Sequence, residues 1–267
     1  MAYQDVSNKT LAELLSLKGR TAVVTGGSAG IGRAICLRLA QAGANLVIGD
    51  LDEAGAKALA SEVRQHGGEH IGMGVDVARH SSVSALADTA IATTGRLDIW
   101  VNNAGVFPYQ PVLEIEDDEW DRVLGINLRG TFFGAKDAAL RMAPNRGVII
   151  NIASCAAFNA SDGSNGAHYV SSKHAVRGLT KSLAVELGPK GIRVVGVAPT
   201  LVDTPGARKG LEGKGTPDFL EQYGLALPLK RVGLPDDIAR TVLFAASDLA
   251  TFVTGIMIPV DGGDLAR

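Results

Sequence analysis

Tyr169 and Lys173 stand four residues apart, a spacing that on a helix sends both side chains from one face with β-carbons roughly 5–6 Å apart. A tyrosine at its ordinary pKa of about 10 is a poor base near neutrality. A neighbouring ammonium favours the phenolate and is expected to bring the phenol toward the range in which general acid/base catalysis is efficient. Ser154 ends the apolar run Gly147–Ala153 and supplies a hydroxyl able to hold and polarise a substrate oxygen. For a serine nucleophile the accompanying His–Asp pair is missing, and His168 points to a different helix face from Tyr169. Y-x-x-x-K arises easily by chance, so its weight comes from the strand-terminal serine and from what lies upstream.

Upstream lies Thr25-Gly26-Gly27-Ser28-Ala29-Gly30-Ile31-Gly32, where the apolar run Thr21–Val24 turns into a helical pattern from Arg33 to Ala40. Gly26, Gly30 and Gly32 suit a tight turn, close approach of a pyrophosphate to the backbone, and close packing of helix on strand. Unpaired N–H groups of the helix's first turn would face the phosphates. The spacing is G-x-x-x-G-x-G and not the general G-x-G-x-x-G, so the motif leans on its context. Asp50 closes the second strand, Asn45–Asp50, about 20 residues on, where a ribose-binding acid belongs. It would repel a 2′-phosphate, and neither the glycine turn nor Leu51-Asp52 carries a cation to offset that. NAD is therefore expected over NADP, the plain alternative being that Asp50 caps the next helix. Asp76, before Val77 at the end of a third strand near His70–Val75, either meets the adenine amino group or caps the helix from about 80 to 94. The fourth strand, Leu97–Val101, ends in Asn102-Asn103-Ala104-Gly105, small and amide residues that suit a ligand lying across a sheet edge.

Strands and helices alternate throughout, with helices over about 53 to 66, 117 to 143, 168 to 187 and 236 to 246, and later strands near Gly147–Ala153, Ile192–Ala198 and Gly255–Val260. This argues for an α/β, doubly wound Rossmann-type three-layer sandwich with a central parallel sheet. Asn127, among Val123, Leu124, Ile126 and Leu128, reads by itself as structural, a residue able to perturb the backbone ladder. Residues 203–225, rich in Gly, Lys and Pro, are long for a connection and are expected to form a substrate lid. Residues 1–17 are expected as an N-terminal arm with a short amphipathic helix, leaving 18–267 as a single domain. With 46% hydrophobic and 20% charged residues and a net charge of −2, the chain is globular and carries no basic field for nucleic acid or an anionic membrane. No run approaches the roughly 18 apolar residues of a membrane span, and the start lacks a signal pattern. Two cysteines, Cys36 and Cys155, give neither a disulfide framework nor metal spacing, and His66 and His70 are split by Gly67-Gly68. A cytoplasmic location and no metal are expected.

Taken together, the glycine turn, Asp76-Val77, Asn102–Gly105, Asn127, Ser154, Tyr169-x-x-x-Lys173, Pro199–Thr204 and Asp261-Gly262-Gly263 make the chain resemble the classical short-chain dehydrogenase/reductase family over about residues 18 to 263. The resemblance implies an active tetrad of Asn127, Ser154, Tyr169 and Lys173. Asn127 would hold a proton-relay water beside Lys173, Lys173 would grip the nicotinamide ribose, and Tyr169 would be the acid/base. Gly26, Ser28, Gly30, Ile31, Gly32, Asp50, Leu51, Asp76, Val77, Asn103, Ala104, Gly105 and Pro199 would line the cofactor, with Val202 and Thr204 at its carboxamide. It also implies a homotetramer, with the helices near 117–143 and 168–187 and the C-terminal segment in contacts. One departure concerns Pro199-Thr200, where the family commonly has Pro-Gly: a β-branched residue constrains that turn. The expected reaction interconverts a secondary alcohol and a ketone with NAD; the rivals are an NADP-dependent ketone or 3-oxoacyl reductase and a nucleotide-sensing protein without turnover. Phe107, Tyr109, Ala156, Phe158, Phe219 and Tyr223 suggest an apolar pocket, whereas Asn159, Ser161, Asp162 and Ser164 would suit a polyol.

Overall fold

A computed structural model describes residues 5–142, 147–160, 166–211 and 216–267. The elements run α1 (Leu11–Leu15), β1 (Thr21–Thr25), α2 (Gly30–Gln41), β2 (Asn45–Asp50), α3 (Glu53–Glu62), β3 (His70–Gly74), α4 (His80–Thr94), β4 (Ile99–Asn102), α5 (Asp117–Leu124) and α6 (Gly130–Arg141). They continue with β5 (Gly147–Ile152), α7 (Ala167–Leu187), β6 (Ile192–Pro199), α8 (Pro205–Gly210), α9 (Thr216–Ala226), α10 (Pro235–Ala246) and β7 (Met257–Val260). The strands form one sheet in the order β3-β2-β1-β4-β5-β6-β7, every neighbouring pair parallel.

The pleat explains why both faces are covered. Successive strand residues point to opposite sides. Ala22 and Val24 of β1, Leu46 and Ile48 of β2, and Ile99 and Val101 of β4 join one apolar layer with Ile35 and Leu39 of α2, Leu59 of α3 and Val242 of α10. The residues between them, Val23, Val47 and Trp100, join the other layer with Leu86 of α4, Ala135 of α6 and Ala184 of α7. Successive strands are added outward in one direction from β1 to β3 and in the other from β4 to β7, so the carboxyl ends of β1 and β4 open the crevice in which doubly wound sheets bind ligands.

Two local differences from the sequence expectation and two alternatives that it left open bear on the site. The helix expected over 117–143 is broken at Gly125–Arg129 by a π-turn that contains Asn127. The expected loop at 203–225 holds two helices, α8 begun by Thr204, which accepts from the Ala207 N–H with Pro205 in the first turn, and α9. The helix after β2 is capped by Asp52, which accepts from the Gly55 N–H, so Asp50 is not its cap. The N-cap of α4 is Arg79, so Asp76 is not its cap; Asp76 accepts from the Ala78 N–H instead. At the other end of the chain, Lys9 pairs with Asp248 at 2.7 Å and Leu17 is fully buried in the first apolar layer.

Candidate active site

The glycine turn is held by contacts that leave no room for side chains. Gly26 has φ +65°, and a β-carbon there would lie 2.8 Å from Ala104 Cα; at Gly32 one would lie 2.0 Å from the Gly26 carbonyl oxygen. Helix α2 starts at Ala29 with no side chain capping it, so the N–H groups of Gly30, Ile31 and Gly32 are left for a ligand's acceptors. Asp50 projects to the same turn, accepting from the Ser28 N–H at 2.9 Å and the Ser28 hydroxyl at 2.7 Å. Leu51 beside it is exposed. Arg33, next in sequence to the turn, is paired with Glu62 at 2.6 Å. A methyl from Thr204 comes 3.3 Å from where a Gly30 β-carbon would be, which brings the segment after β6 against the turn.

Side chains at the strand ends lock β1, β4 and β5 together. Asn103 donates to the carbonyls of Thr25 and Gly26 at 3.0 and 2.8 Å, and the Thr25 hydroxyl accepts from the N–H groups of Asn103 and Ala104. The buried Asn102 receives the Trp100 indole N–H at 2.7 Å and donates to Asn151 Oδ1 at 2.9 Å; Asn151 donates in turn to Thr180 of α7. Thr25 was read only as the head of the glycine turn, and Asn151 and Thr180 escaped the sequence reading because single polar residues inside apolar runs carry no pattern of their own. Their position at a strand end or a buried helix face is the only signal.

Ser154 follows β5, and Tyr169 and Lys173 rise from the first turns of α7. Tyr169 is 8% exposed and Lys173 6%. Tyr169 and Ser154 are hydrogen-bonded. Lys173 Nζ lies 5.6 Å from the centre of the Tyr169 ring and donates to the Ile152 carbonyl at 3.2 Å. Asn127 grips the loop after β4: its Oδ1 accepts from the Val106 N–H at 2.9 Å, and its Nδ2 donates to the Val106 carbonyl at 2.8 Å and to Ser172 Oγ at 3.2 Å. Ser172, a residue missed in sequence though adjacent to Lys173, donates to the Tyr169 carbonyl. The side chain of Asn127 is thus committed to Val106 and Ser172. A β-carbon on Gly105 would lie 3.1 Å from Asn127 Oδ1 and 3.7 Å from Lys173 Nζ, so that glycine separates the two by the width of one backbone.

The electrostatics differ from the sequence expectation. Burial pushes the Tyr169 phenol up to about 12, with the Ser154 hydrogen bond acting the other way, and burial brings Lys173 down to about 8. Desolvation disfavours the charged form of each and is the leading cause of both shifts. Cys155 is pushed above the ordinary thiol range by burial, which leaves it an inert thiol.

Phe107 and Tyr109 turn toward α8: β-carbons on Gly206 and Gly210 would lie 3.4 Å from Phe107 and 3.8 Å from Tyr109. Phe219 and Tyr223 of α9 have ring centres 6.1 Å apart. Phe158 does not join them; its ring lies under the Arg177 guanidinium at 4.3 Å and packs with Ala153, Ala157 and Val176. Ser161, Asp162 and Ser164 lie outside the described residues. A cavity of about 660 Å³ between α10 and β7, lined by Leu229, Arg231, Phe244 and Pro259 among others, includes none of the tetrad. Among the described residues no group of three His, Cys, Asp or Glu side chains could hold a metal ion. No helix among them is long and apolar enough to cross a membrane.

Residues 26–264 match a family model described as enoyl-(acyl carrier protein) reductase. The chain is 40% identical over 248 residues to D-threitol dehydrogenase of Mycolicibacterium smegmatis, covering 92% of this chain and 93% of that one. It is 37% identical over 250 residues to 3beta-hydroxysteroid dehydrogenase 1 of Eggerthella lenta, covering 92% and 94%. A crystal structure of a short-chain type dehydrogenase/reductase from Mycobacterium marinum superposes with a TM-score of 0.88 at 31% identity, covering 97% of this chain and all of that one. With the doubly wound sheet and the site at its carboxyl edge, these place the chain in the short-chain dehydrogenase/reductase family, whose members are oxidoreductases working with a nicotinamide cofactor.

Proposed function

We propose that the protein interconverts a secondary alcohol and a ketone, with NAD as hydride carrier and Tyr169 as general acid/base. The observation that carries this reading is the meeting of the half-buried Ser154 with the buried Tyr169 and Lys173 beyond the strand ends, on the same sheet edge as Asp50 and the uncapped start of α2. When bound, NAD supplies the hydride acceptor and, oxidised, a positive charge at the nicotinamide.

The first-turn N–H groups of α2 would hold the pyrophosphate, with Ser28 and Asn103–Gly105 shaping the turn around it. Asp50 would accept the adenosine ribose hydroxyls with Leu51 beside it, and Asp76 and Val77 would meet the adenine. Lys173 would hold the nicotinamide ribose, and Pro199, Val202 and Thr204 the carboxamide end. In oxidation, Tyr169 takes the hydroxyl proton of the substrate while Ser154 donates a hydrogen bond to its oxygen. Asn127 keeps the loop after β4 in place beside Lys173. Helices α8 and α9 serve as the lid over the substrate end, with Phe107 and Tyr109 as its opposite wall. Asp50 supports NAD over NADP, because it would face a 2′-phosphate with like charge while Arg33 is engaged by Glu62. Two free, buried cysteines fit a reducing cytoplasm, and a homotetramer is the expected assembly.

The test is reduction of NAD and of NADP by the purified protein across cyclic, aromatic, polyol and hydroxyacyl secondary alcohols, with Tyr169→Phe alongside. Turnover with NAD, reduced about 10²–10⁴-fold in the variant with NAD affinity unchanged, is expected. Preference for NADP would sink the cofactor assignment. Turnover undiminished in Tyr169→Phe would sink the mechanism, and NAD binding without turnover of any alcohol would favour a nucleotide sensor.

A further inference from the structure

Thr200, the residue directly after β6, is tied to two distant parts of the chain. Its Oγ1 lies 2.7 Å from the Tyr223 hydroxyl on α9 and 2.5 Å from Asp264 Oδ2 in the C-terminal segment. The Tyr223 hydroxyl donates to the same carboxylate oxygen at 2.8 Å. Arg267 donates to Asp264 Oδ1 from Nε at 3.0 Å and from Nη2 at 2.8 Å, and its Nη1 reaches the carbonyl of Ala226, the last residue of α9, at 3.1 Å. The turn bearing Asp264 is itself closed by Asp261, which accepts from the N–H groups of Gly263 and Leu265.

Burial pushes Asp264 up, but the hydrogen bonds from Thr200, Tyr223 and Arg267 prevail and hold its carboxyl below the usual range, so it enters the cluster as an acceptor. Tyr223, pushed up to about 12 by burial, keeps its proton and donates. Both hydroxyl hydrogens are then spent on one carboxylate oxygen, the 2.7 Å approach of the Thr200 and Tyr223 oxygens carries no hydrogen of its own, and a residue without a hydroxyl at position 200 removes one of the two donations. The cluster is one short step from the chemistry. Thr200 follows β6, and Cys155, adjacent to Ser154, lies 3.6 Å through its sulfur from the β6 carbonyl of Ala198.

We propose that Thr200 is a positioning residue for the substrate: its hydroxyl and the Asp264 carboxylate latch α9 to the C-terminal segment and hold Tyr223 and Phe219 as a fixed wall of the substrate site. The inference rests on the reading of α8–α9 as the substrate lid. A wall of this kind acts on binding of the alcohol, whereas Tyr169, Ser154 and the cofactor turn are untouched by it. The latch therefore separates KM from kcat.

The experiment compares Thr200→Val, which keeps the shape and removes the hydroxyl, with Thr200→Ser, which keeps the hydroxyl, and with Asp264→Asn. KM and kcat for the best alcohol, the Kd of NAD, and amide hydrogen exchange across residues 216–226 are measured on each. Loss of hydrogen bonds to a carboxylate is expected to raise KM and speed α9 exchange by about tenfold or more in Thr200→Val. Asp264→Asn should follow it, Thr200→Ser should match the unmodified protein, and kcat and NAD affinity should stay within about twofold throughout. Unchanged KM and exchange in Thr200→Val would overturn the proposal, as would a Thr200→Ser variant as impaired as Thr200→Val, or NAD affinity falling in step with KM. If no alcohol is turned over the functional reading fails on its own, and the exchange of α9, which needs no turnover, still decides whether the latch exists.

Discussion

At the scale of single residues, the acid/base assignment turns on what sets the ionisation of Tyr169. The spacing of Tyr169 and Lys173 was legible in the sequence, but the direction of the shift was not, because burial is a property of the folded neighbourhood. Desolvation pushes the phenol up to about 12 and the lysine down to about 8. Tyr169 must lose its proton to accept one from the alcohol, so oxidation rises with pH through its pKa in the cofactor complex and ketone reduction falls. Positive charge arriving with oxidised nicotinamide lowers that pKa, as does the Ser154 hydrogen bond. Ser154→Ala removes the second of these and leaves the substrate oxygen one donor short. The rising limb of kcat/KM for alcohol oxidation should therefore move to higher pH, with the rate at pH 7 down about 10²- to 10³-fold. A pH–rate profile whose limb stays put in Ser154→Ala would mean that the serine holds substrate without tuning the tyrosine.

At the scale of elements, the π-turn at Gly125–Arg129 shows how a side chain sets the backbone. An apolar helical pattern runs through Asn127, and the sequence predicts one uninterrupted helix there. What interrupts it is the double hydrogen bond to Val106, a partner twenty-one positions away that no local pattern discloses. The strands were legible because their pleat alternates between two apolar layers, and Asp50 was legible from its distance to the glycine turn. Helices α8 and α9 were missed for a local reason: Gly, Lys and Pro suggest a loop, although Thr204-Pro205 pairs a capping residue with a proline of the first turn of α8. Asn127→Ala leaves the N–H and carbonyl of Val106 without their partner, at a cost of about 1–3 kcal/mol. In a chain of this size that lowers the unfolding midpoint by about 2–4 °C per kcal/mol. Because the freed loop borders Lys173, kcat should fall further than the loss of stability explains, measured at a temperature where the variant is fully folded. A variant that unfolds early yet retains full kcat would make Asn127 structural only.

At the scale of the whole molecule, the parallel sheet brings the proposed reacting groups to one edge. The crevice beyond the ends of β1 and β4 is the proposed seat of the cofactor, with Ser154 after β5 and Tyr169 and Lys173 of α7 beside it. That arrangement leaves the outer faces of α6 and α7 exposed, and large apolar side chains stand among their polar ones. Leu140 on α6 is 71% exposed and Val185 on α7 80%, and Phe132 adds a ring to the same pair of helices. Phe252, beyond α10, stands almost wholly in solvent. Large apolar side chains gathered on neighbouring helices mark contact surfaces, and in a symmetric pairing each buries twice. At about 1.5–3 kcal/mol for each fully buried aliphatic side chain, four such burials would contribute much of the affinity of a stable pair. The proposed homotetramer predicts that Leu140→Glu combined with Val185→Glu reduces the mass in solution from four chains to two, read by light scattering, while Phe252→Glu weakens the second kind of contact separately. Because α7 carries Tyr169 and Lys173 at its other end, the double variant should also lose activity on dilution before the unmodified protein does. A single-chain mass for the unmodified protein at micromolar concentration would show that these apolar residues serve some other partner.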